Sequence, residues 1–178
     1  MREKYSEKRI VSCYEANANH LLRPAAMLDI MQEAAGRDAS GLGFGYEEMI
    51  AGNCAWVLSR IKVVFHNYPK WRDEVTLKTW HKGANRIFYL RDFQLEDACG
   101  NVAVSATTSW LIIDLASRRM VRNSTLAENF DSTPDHPDQL PLGLALPAAH
   151  TLPLGDFLLH KDYLHSSKIQ DMEIRDIR

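Results

Sequence analysis

Apolar side chains recur every three or four residues between positions 24 and 45, which is the spacing of one face of an α-helix. Pro24 suits the start of such a helix, because the first helical turn does not need its backbone N–H. Glycines at positions 41, 43 and 45 are expected to end the helix. The pattern predicts one long amphipathic helix whose apolar stripe contains Met27, Leu28, Met31, Ala34, Ala35 and Leu42.

The chain after this helix is rich in β-branched and aromatic residues, as strands are. The pattern predicts a strand within residues 3–16, a short helical turn at 46–51, strands at 54–65, 75–81, 86–95 and 102–114, and a hairpin loop at 82–85. Short connections favour antiparallel neighbours, because parallel strands need a crossover of about a dozen residues. The predicted fold class is therefore α+β, with one large antiparallel sheet serving one helix.

The predicted strand at residues 54–65 carries apolar side chains on both of its faces. Simple alternation places one set on each face: Ala55, Val57, Ile61, Val63 and Phe65 on the first, and Cys54, Trp56, Leu58 and Val64 on the second. One face is expected to cover the helix, and the other to meet a further layer or subunit.

The composition limits the class of protein. The 178 residues are 46% hydrophobic and 25% charged, which is typical of one soluble globular domain, or of one domain with a fragment of another. A formal charge of −2 argues against a nucleic-acid binder, which is usually basic. No apolar run approaches the roughly 20 residues that span a bilayer, and the charged N-terminus is unlike a signal peptide. The three cysteines include no CxxC pair, which favours a reducing cytoplasm over a disulfide framework or a zinc site.

The composition changes after residue 123. Five of the seven prolines lie between residues 134 and 153, and such a segment is typical of an extended linker rather than of a sheet interior. We predict a domain at residues 1–125 and a proline-rich linker at residues 126–155. Residues 156–178 are expected to be an incomplete start of a second module or a disordered tail.

Several segments share, in their order along the chain, the character of one known family: LRPAAMLDIMQEAAGRDASGLGFGYEEM, WVLSRIKVVF, YPKWRDEVTLKTW, FYLRDFQLED and ATTSWLIIDLASRRMVR. Together they resemble the acyl-ACP thioesterase family, whose plant and bacterial members contain two hotdog modules in tandem. The resemblance covers about residues 5–125, which correspond to the first module. It implies a hotdog fold, in which an antiparallel sheet wraps around one long central helix.

The resemblance also implies an activity, which is hydrolysis of fatty acyl thioesters of acyl carrier protein in fatty acid biosynthesis, without a cofactor. A CoA thioester is the alternative substrate. In this family the first module shapes the acyl pocket, and the catalytic residues lie in the second module on an Asp-x-Asn-x-His segment. No such segment follows residue 153. We therefore expect a truncated or frame-shifted chain that binds acyl groups poorly or through a partner module and has weak or absent activity of its own. It is expected to form a homodimer or to pair with a second hotdog module.

Three residues are candidates for catalysis. The bend NANHL at residues 17–21 is the place to look for a counterpart of the missing segment, and there Asn19 keeps the amide. The alternative interpretation, which the residues favour, is a capped polar bend without a catalytic role. Single-module hotdog thioesterases often place a carboxylate on the central helix, and here the candidates are Glu33 and Asp38. Glu33 is expected on the solvated edge of the helix, and local hydrogen bonding near the helix end is the alternative role of Asp38. The helix start at residues 23–26 is the expected oxyanion region, because helix N-termini supply N–H donors.

Other residues are candidates for binding. Met27, Met31 and Trp56 are expected to line a channel for the acyl chain, since a flexible thioether suits an adaptable apolar pocket. Acyl carrier protein is acidic, so its docking surface should be locally basic. Two clusters meet that requirement: Lys70 with Arg72, and Arg118 with Arg119 and Arg122.

Two further functions remain open. The first is a non-catalytic acyl-binding or assembly module that associates through the second apolar face of its sheet. The second is a self-sufficient acyl-CoA thioesterase of one module, which uses Glu33 or Asp38. The histidines show no HxH or HxxxH spacing, so no metal site is predicted. Arg60 and the Arg91–Asp92 pair on a neighbouring strand are interpreted as an ion pair.

Overall fold

The computed structural model describes residues 4–85 and 87–121. Its elements are β1 (Tyr5–Ile10), a 3-10 turn (Cys13–Glu15), α1 (Pro24–Gly41), α2 (Tyr46–Ala51), β2 (Cys54–Phe65), β3 (Glu74–Asn85), β4 (Phe88–Asp97) and β5 (Val102–Asp114). The strands form one sheet in the order β1-β3-β4-β5-β2, and all neighbours are antiparallel. This confirms the predicted α+β class. The predicted linker at 126–155 and the tail at 156–178 lie outside the described residues.

Helix α1 begins at Pro24, as predicted, and ends at Gly41, the first of the three glycines that were expected to end it. A tight turn then leads directly into α2. Gly45 makes this turn possible, because a Cβ at that position would lie 2.2 Å from the Ser40 hydroxyl oxygen. Any larger residue would push the turn away from the helix end.

The apolar core lies between α1 and one face of the sheet. Four of the six residues in the predicted stripe are buried: Met27, Met31, Ala34 and Ala35. Leu28 and Leu42 are half-buried. The sheet residues of the same cluster are Val75, Leu77, Phe93, Leu95, Ala103, Val104 and Ala106. Removal of this apolar surface from water is the main force that holds the helix on the sheet.

A β-bulge in β2 changes which side chains share a face. The register with β5 shifts at Ser59, so the alternation of side chains reverses beyond that residue. Ile61 and Val63 therefore pack against the α1 core, on the same face of the sheet as Trp56. The predicted division of this strand into two faces is wrong for that reason.

The hairpin between β3 and β4 is longer than predicted. β3 spans Glu74–Asn85, so the predicted loop at residues 82–85 is wrong. The register with β4 shifts between His81 and Gly83, and the φ of Gly83 is 112°, which glycine adopts without strain. Pairing with β4 holds this segment of low β-propensity in a strand.

Candidate functional site

Two methionines of α1 form the first part of the candidate site. Met27 and Met31 are 1% and 2% exposed, and they belong to the core cluster that contains Phe93 of β4. A methionine side chain has three rotatable bonds, so it adapts to different neighbours at low cost. The two residues place an adaptable apolar surface, here called the methionine surface, at the centre of the helix–sheet interface.

Trp56 occupies a neighbouring part of the same sheet face. Its indole N–H donates to the Phe44 carbonyl oxygen at 2.9 Å, and its ring meets the Tyr89 ring edge-on with centroids 5.0 Å apart. Trp56 packs in a cluster with Met49 of α2, and Trp110 contacts both this cluster and the α1 cluster. The three predicted acyl-lining residues therefore lie on one side of the sheet, in two clusters that Trp110 joins.

Asp38 of α1 makes a buried ion pair with β4. Its Oδ2 lies 2.6 Å from Nη1 of Arg91, and the two side chains are 1% and 7% exposed. Arg91 also donates to the Thr79 hydroxyl at 3.2 Å, and the Thr108 hydroxyl donates to the Arg91 carbonyl oxygen at 3.0 Å. The carboxylate thus connects the helix to the centre of the sheet, which is a longer-range role than local hydrogen bonding.

Glu33 lies on the solvent side of α1, as predicted. Its side chain is 65% exposed and forms an i,i+4 ion pair with Arg37 at 3.1 Å. Arg37 also donates to Glu7 of β1 at 2.7 Å. Hydrogen bonding with Tyr5, and then with Glu7, raises the pKa of Arg37 above its ordinary value. Glu33 therefore belongs to a surface network between α1 and β1.

Asn19 lies in an exposed bend whose shape is set by the side chain of Asn17. The Asn17 Oδ1 accepts the backbone N–H groups of Asn19 at 2.9 Å and of Leu21 at 3.1 Å, which is an Asx-type arrangement. The Leu22 N–H then donates to the Pro69 carbonyl oxygen at 2.8 Å, in the turn that follows β2. Because α1 starts two residues later, the bend and the helix N-terminus form one end of the module.

These elements match a known family. Residues 2–126 match the acyl-ACP thioesterase N-terminal domain. The chain belongs to the acyl-ACP thioesterase family. An oleoyl-acyl carrier protein thioesterase from the chloroplast of Coriandrum sativum is 31% identical over 127 residues, which are 67% of this chain and 34% of that protein. The chain thus spans about a third of the length of the curated relatives that it matches, and the predicted correspondence to a first module is confirmed.

Solved structures share the fold of this acyl-ACP thioesterase module. A putative oleoyl thioesterase from Lactobacillus plantarum has a TM-score of 0.69 at 22% identity, over 84% of this chain and 59% of that one. A hypothetical protein from Staphylococcus aureus, solved in complex with CoA, has a TM-score of 0.71 at 14% identity, over 83% of this chain and 98% of that one. The predicted hotdog fold is confirmed.

The thioesterase module contains a buried carboxylate that sequence reasoning missed. Glu15 is 6% exposed, accepts the Ser12 backbone N–H at 2.8 Å and pairs with Arg9. Its carbonyl oxygen accepts the N–H of Arg23, the residue before α1, at 2.9 Å. The Ser-x-x-Glu spacing is that of a capping box, and this pattern would have identified the residue. Glu15 therefore supports the end of the module where the helix begins.

The predicted ion pair between Arg60 and the Arg91–Asp92 pair is wrong. Asp92 pairs with Lys82 at 2.8 Å, and both side chains are 4% exposed. The Arg60 guanidinium lies over the Phe88 ring, 5.1 Å from its centroid. The cause is the strand order, because β5 lies between β2 and β4.

A cleft of about 310 Å³ opens beside the edge strand β1. Its charged lining includes Lys8, Arg9, Glu74 and Asp97, which does not suit an acyl chain. Within residues 4–85 and 87–121, no group of three or more His, Cys, Asp or Glu side chains is arranged to hold a metal ion. No helix in the part of the chain that the structure describes is long and apolar enough to cross a membrane.

Proposed function

We propose that this chain is the acyl-binding module of an enzyme that hydrolyses fatty acyl thioesters in fatty acid biosynthesis. The observation that carries the proposal is the methionine surface at the helix–sheet interface of an acyl-ACP thioesterase family member. The substrate is an acyl thioester of acyl carrier protein or of CoA. Hydrolysis of such a bond needs water and no cofactor.

The acyl chain is proposed to enter between α1 and the sheet. Met27 and Met31 change rotamer to admit it, and Trp56 lines the neighbouring part of the same face. Each methylene that moves from water to such a surface contributes about 0.8 kcal/mol. That gain offsets the loss of contacts between the methionines and the sheet.

The chemistry is proposed to take place where α1 begins. The backbone N–H groups of Ala25 and Ala26 in the first helical turn face the developing oxyanion, since Pro24 has no N–H and the Arg23 N–H donates to the Glu15 carbonyl oxygen. The Asn19 amide on the adjoining bend orients the attacking water. Asp38 is held by Arg91 and Glu33 lies on the solvent side, so we assign the general base to neither. The base is proposed to come from a second hotdog module. Turnover by this chain alone is then weak or absent.

The partner module, or a second copy of the chain, is proposed to pair along β2. This strand is the last in the sheet and is 12 residues long. Val57 and Leu58 are 38% and 37% exposed on it, and a long exposed edge strand is a template for pairing. Native mass spectrometry of the full chain tests self-association, since a dimer supports it and a monomer leaves pairing to a separate module.

Free thiols at Cys13, Cys54 and Cys99 support a reducing compartment such as the cytoplasm.

Release of thiol from acyl-ACP and acyl-CoA tests the proposal. The full chain is incubated with each substrate, and the free thiol is followed with a chromogenic thiol reagent. We expect slow release by the chain alone. Rapid turnover by the chain alone would contradict the assignment of the base to a second module.

The second candidate function is a self-sufficient thioesterase that uses a helix carboxylate. The hotdog protein from Staphylococcus aureus favours it, because this chain covers 98% of that protein and one module can therefore make up a whole chain. Rapid turnover that is lost in Asp38→Asn or Glu33→Gln at unchanged stability would establish this alternative. Acyl binding without turnover under any condition would instead support a non-catalytic acyl-binding module.

A further inference from the structure

We infer that an acidic carrier protein docks on the surface formed by His20, Lys70, Trp71 and Arg72, here called the docking surface. The inference rests on the proposed function, because it names where the carrier of the acyl thioester binds. Two loops contribute to this surface, the bend before α1 and the turn after β2. Both loops lie at the end of the module where the helix begins.

Backbone hydrogen bonds hold the two loops together. The Trp71 N–H donates to the His20 carbonyl oxygen at 2.8 Å, and the Arg72 N–H donates to the Val11 carbonyl oxygen at 2.9 Å. An isolated antiparallel bridge joins Leu21 to Lys70 beside them. The surface is therefore preorganised, which lowers the entropy lost when a partner binds.

The side chains of the docking surface are stacked. The His20 ring lies parallel to the Trp71 ring, with centroids 5.6 Å apart and 19° between the planes. The Arg72 guanidinium lies over the same indole ring, 4.3 Å from its centroid. His20 and Arg72 both have left-handed backbone conformations, with φ of 63° and 74°. Such conformations cost free energy for residues other than glycine and are retained where a side chain must be presented in one orientation.

The exposed groups fit an acidic protein partner. His20, Lys70 and Arg72 are exposed, and Trp71 is 36% exposed. The neighbouring carboxylate of Asp73 accepts the Lys70 backbone N–H at 2.7 Å, and this hydrogen bond stabilises the turn that carries Lys70. Trp and Arg are the residues that contribute most to binding at protein interfaces. The next two residues, Asp73 and Glu74, are exposed carboxylates that balance the charge of the loop as a whole. The charge that an acidic partner meets is therefore the grouping of His20 and Arg72 around the Trp71 ring with Lys70 beside it.

The position of the surface also fits a carrier. His20 follows Asn19 in the bend, and the bend leads directly into α1. A carrier docked there holds its thioester beside the first helical turn, where the oxyanion donors are proposed. The rival basic cluster lies in the turn after β5, where Arg118 and Arg119 serve as the control. Its third member, Arg122, lies outside the described residues.

The experiment compares charge reversals on the two basic clusters. The full chain is made as Lys70→Glu/Arg72→Glu and as Arg118→Glu/Arg119→Glu. Arg72 and Arg118 have similar left-handed φ values of 74° and 55°, so these two positions are matched in backbone, and each double reversal changes the charge by the same amount. Circular dichroism checks the fold. Arg72→Gly is a third variant, which removes the guanidinium at a φ that suits glycine.

Binding is measured by calorimetry with acyl carrier protein that bears a non-hydrolysable acyl group. We expect the reversal at Lys70 and Arg72 to raise the Kd at least about tenfold at low salt, and the control to change it less than about threefold. The difference should shrink at about 0.5 M salt, because screening weakens exposed charges. Arg72→Gly should weaken binding in the same direction. Equal weakening by both reversals, or no weakening at Lys70 and Arg72, would overturn the inference.

Binding of a free, non-hydrolysable acyl-CoA analogue separates failure of this inference from failure of the proposed function, because the chain alone is expected to turn over slowly. If acyl carrier protein binds through the docking surface but the analogue leaves the Met27 and Met31 methyl signals unchanged, docking stands and the proposed acyl-binding role fails. If the analogue shifts those signals but wild type and the Lys70→Glu/Arg72→Glu variant bind acyl carrier protein equally, docking fails and the proposed acyl-binding role stands.

Discussion

Replacement of Asp38 by alanine is expected to destabilise the module, because the Arg91 guanidinium loses the carboxylate that pairs with it. The two side chains are 1% and 7% exposed and lie 2.6 Å apart. Removal of one partner from a buried ion pair costs about 3–5 kcal/mol. The Thr79 hydroxyl, 3.2 Å from Arg91, remains as a neutral partner worth about 1 kcal/mol. We expect Asp38→Ala to lower the free energy of unfolding by about 2–4 kcal/mol.

A double variant separates the charge from the packing. Asp38→Leu/Arg91→Met removes both charges from the interior and leaves apolar side chains between α1 and β4. Replacement of a whole buried ion pair by apolar residues is often neutral or stabilising. The double variant should therefore be more stable than Asp38→Ala. Glu33→Ala is the control on the exposed face of the same helix, and we expect no measurable change in stability from it.

Urea unfolding measures each of these free energies. Far-UV circular dichroism and tryptophan fluorescence are followed together, since coincident transitions support a two-state analysis. A loss below about 1 kcal/mol for Asp38→Ala, or a double variant less stable than the single one, would refute the argument that the unpaired charge of buried Arg91 destabilises the single variant.

Two other sites give further predictions. Gly45→Ala should lower stability by about 1–3 kcal/mol through its close contact with Ser40, whereas Gly36→Ala, in a helical position with nothing within 4 Å of the added Cβ, should raise it by about 0.5–1 kcal/mol. Thermal melts compare the two, and a loss of equal size at both would contradict the contact. The Asn101 side chain, followed by its backbone N–H, lowers the pKa of Asp97, so the stabilisation is present above the unfolded-state pKa and is lost as pH falls through the folded-state pKa. Urea midpoints measured between about pH 2 and pH 5 should fall less steeply for Asp97→Asn, and identical slopes would show that this carboxyl contributes nothing.

Elements with a local signal in the sequence could be predicted closely. β2 occupies the predicted residues 54–65, because an apolar run between turns has few alternatives. α1 starts at the predicted Pro24, because proline marks a first helical turn. The end of α1 could not be predicted as closely, because glycines occupy positions 41, 43 and 45. Tertiary contacts decide which of them ends the helix.

The bulges could not be predicted from the same patterns. Ser59 gives no local sign that it will be the extra residue in β2, yet it reverses the faces of everything after it. Gly83 marks a loop by its propensity and lies in a strand because β4 pairs with it. The register is a property of two paired strands, so the sequence of one strand does not determine it.

The positions of the candidate residues could be predicted, but the residues that they contact could not. Met27 and Met31 are in the core because helical spacing puts them on one face. Asp38 and Arg91 are 53 positions apart, and their contact depends on a strand order that the chain sequence does not state. The stacking of His20 on Trp71 depends in the same way on two loops that meet only in the fold.

The most direct test of the account is a methionine-methyl NMR titration of the full chain with a non-hydrolysable acyl-thioester analogue. Carbon-13 labels report each methionine separately, and single Met→Leu variants assign the signals. We predict that the Met27 and Met31 signals shift together as the analogue binds, while Met120, which is 58% exposed after β5, does not change. Saturating analogue that leaves Met27 and Met31 unchanged, or that shifts Met120 alone, would contradict an acyl site between the helix and the sheet.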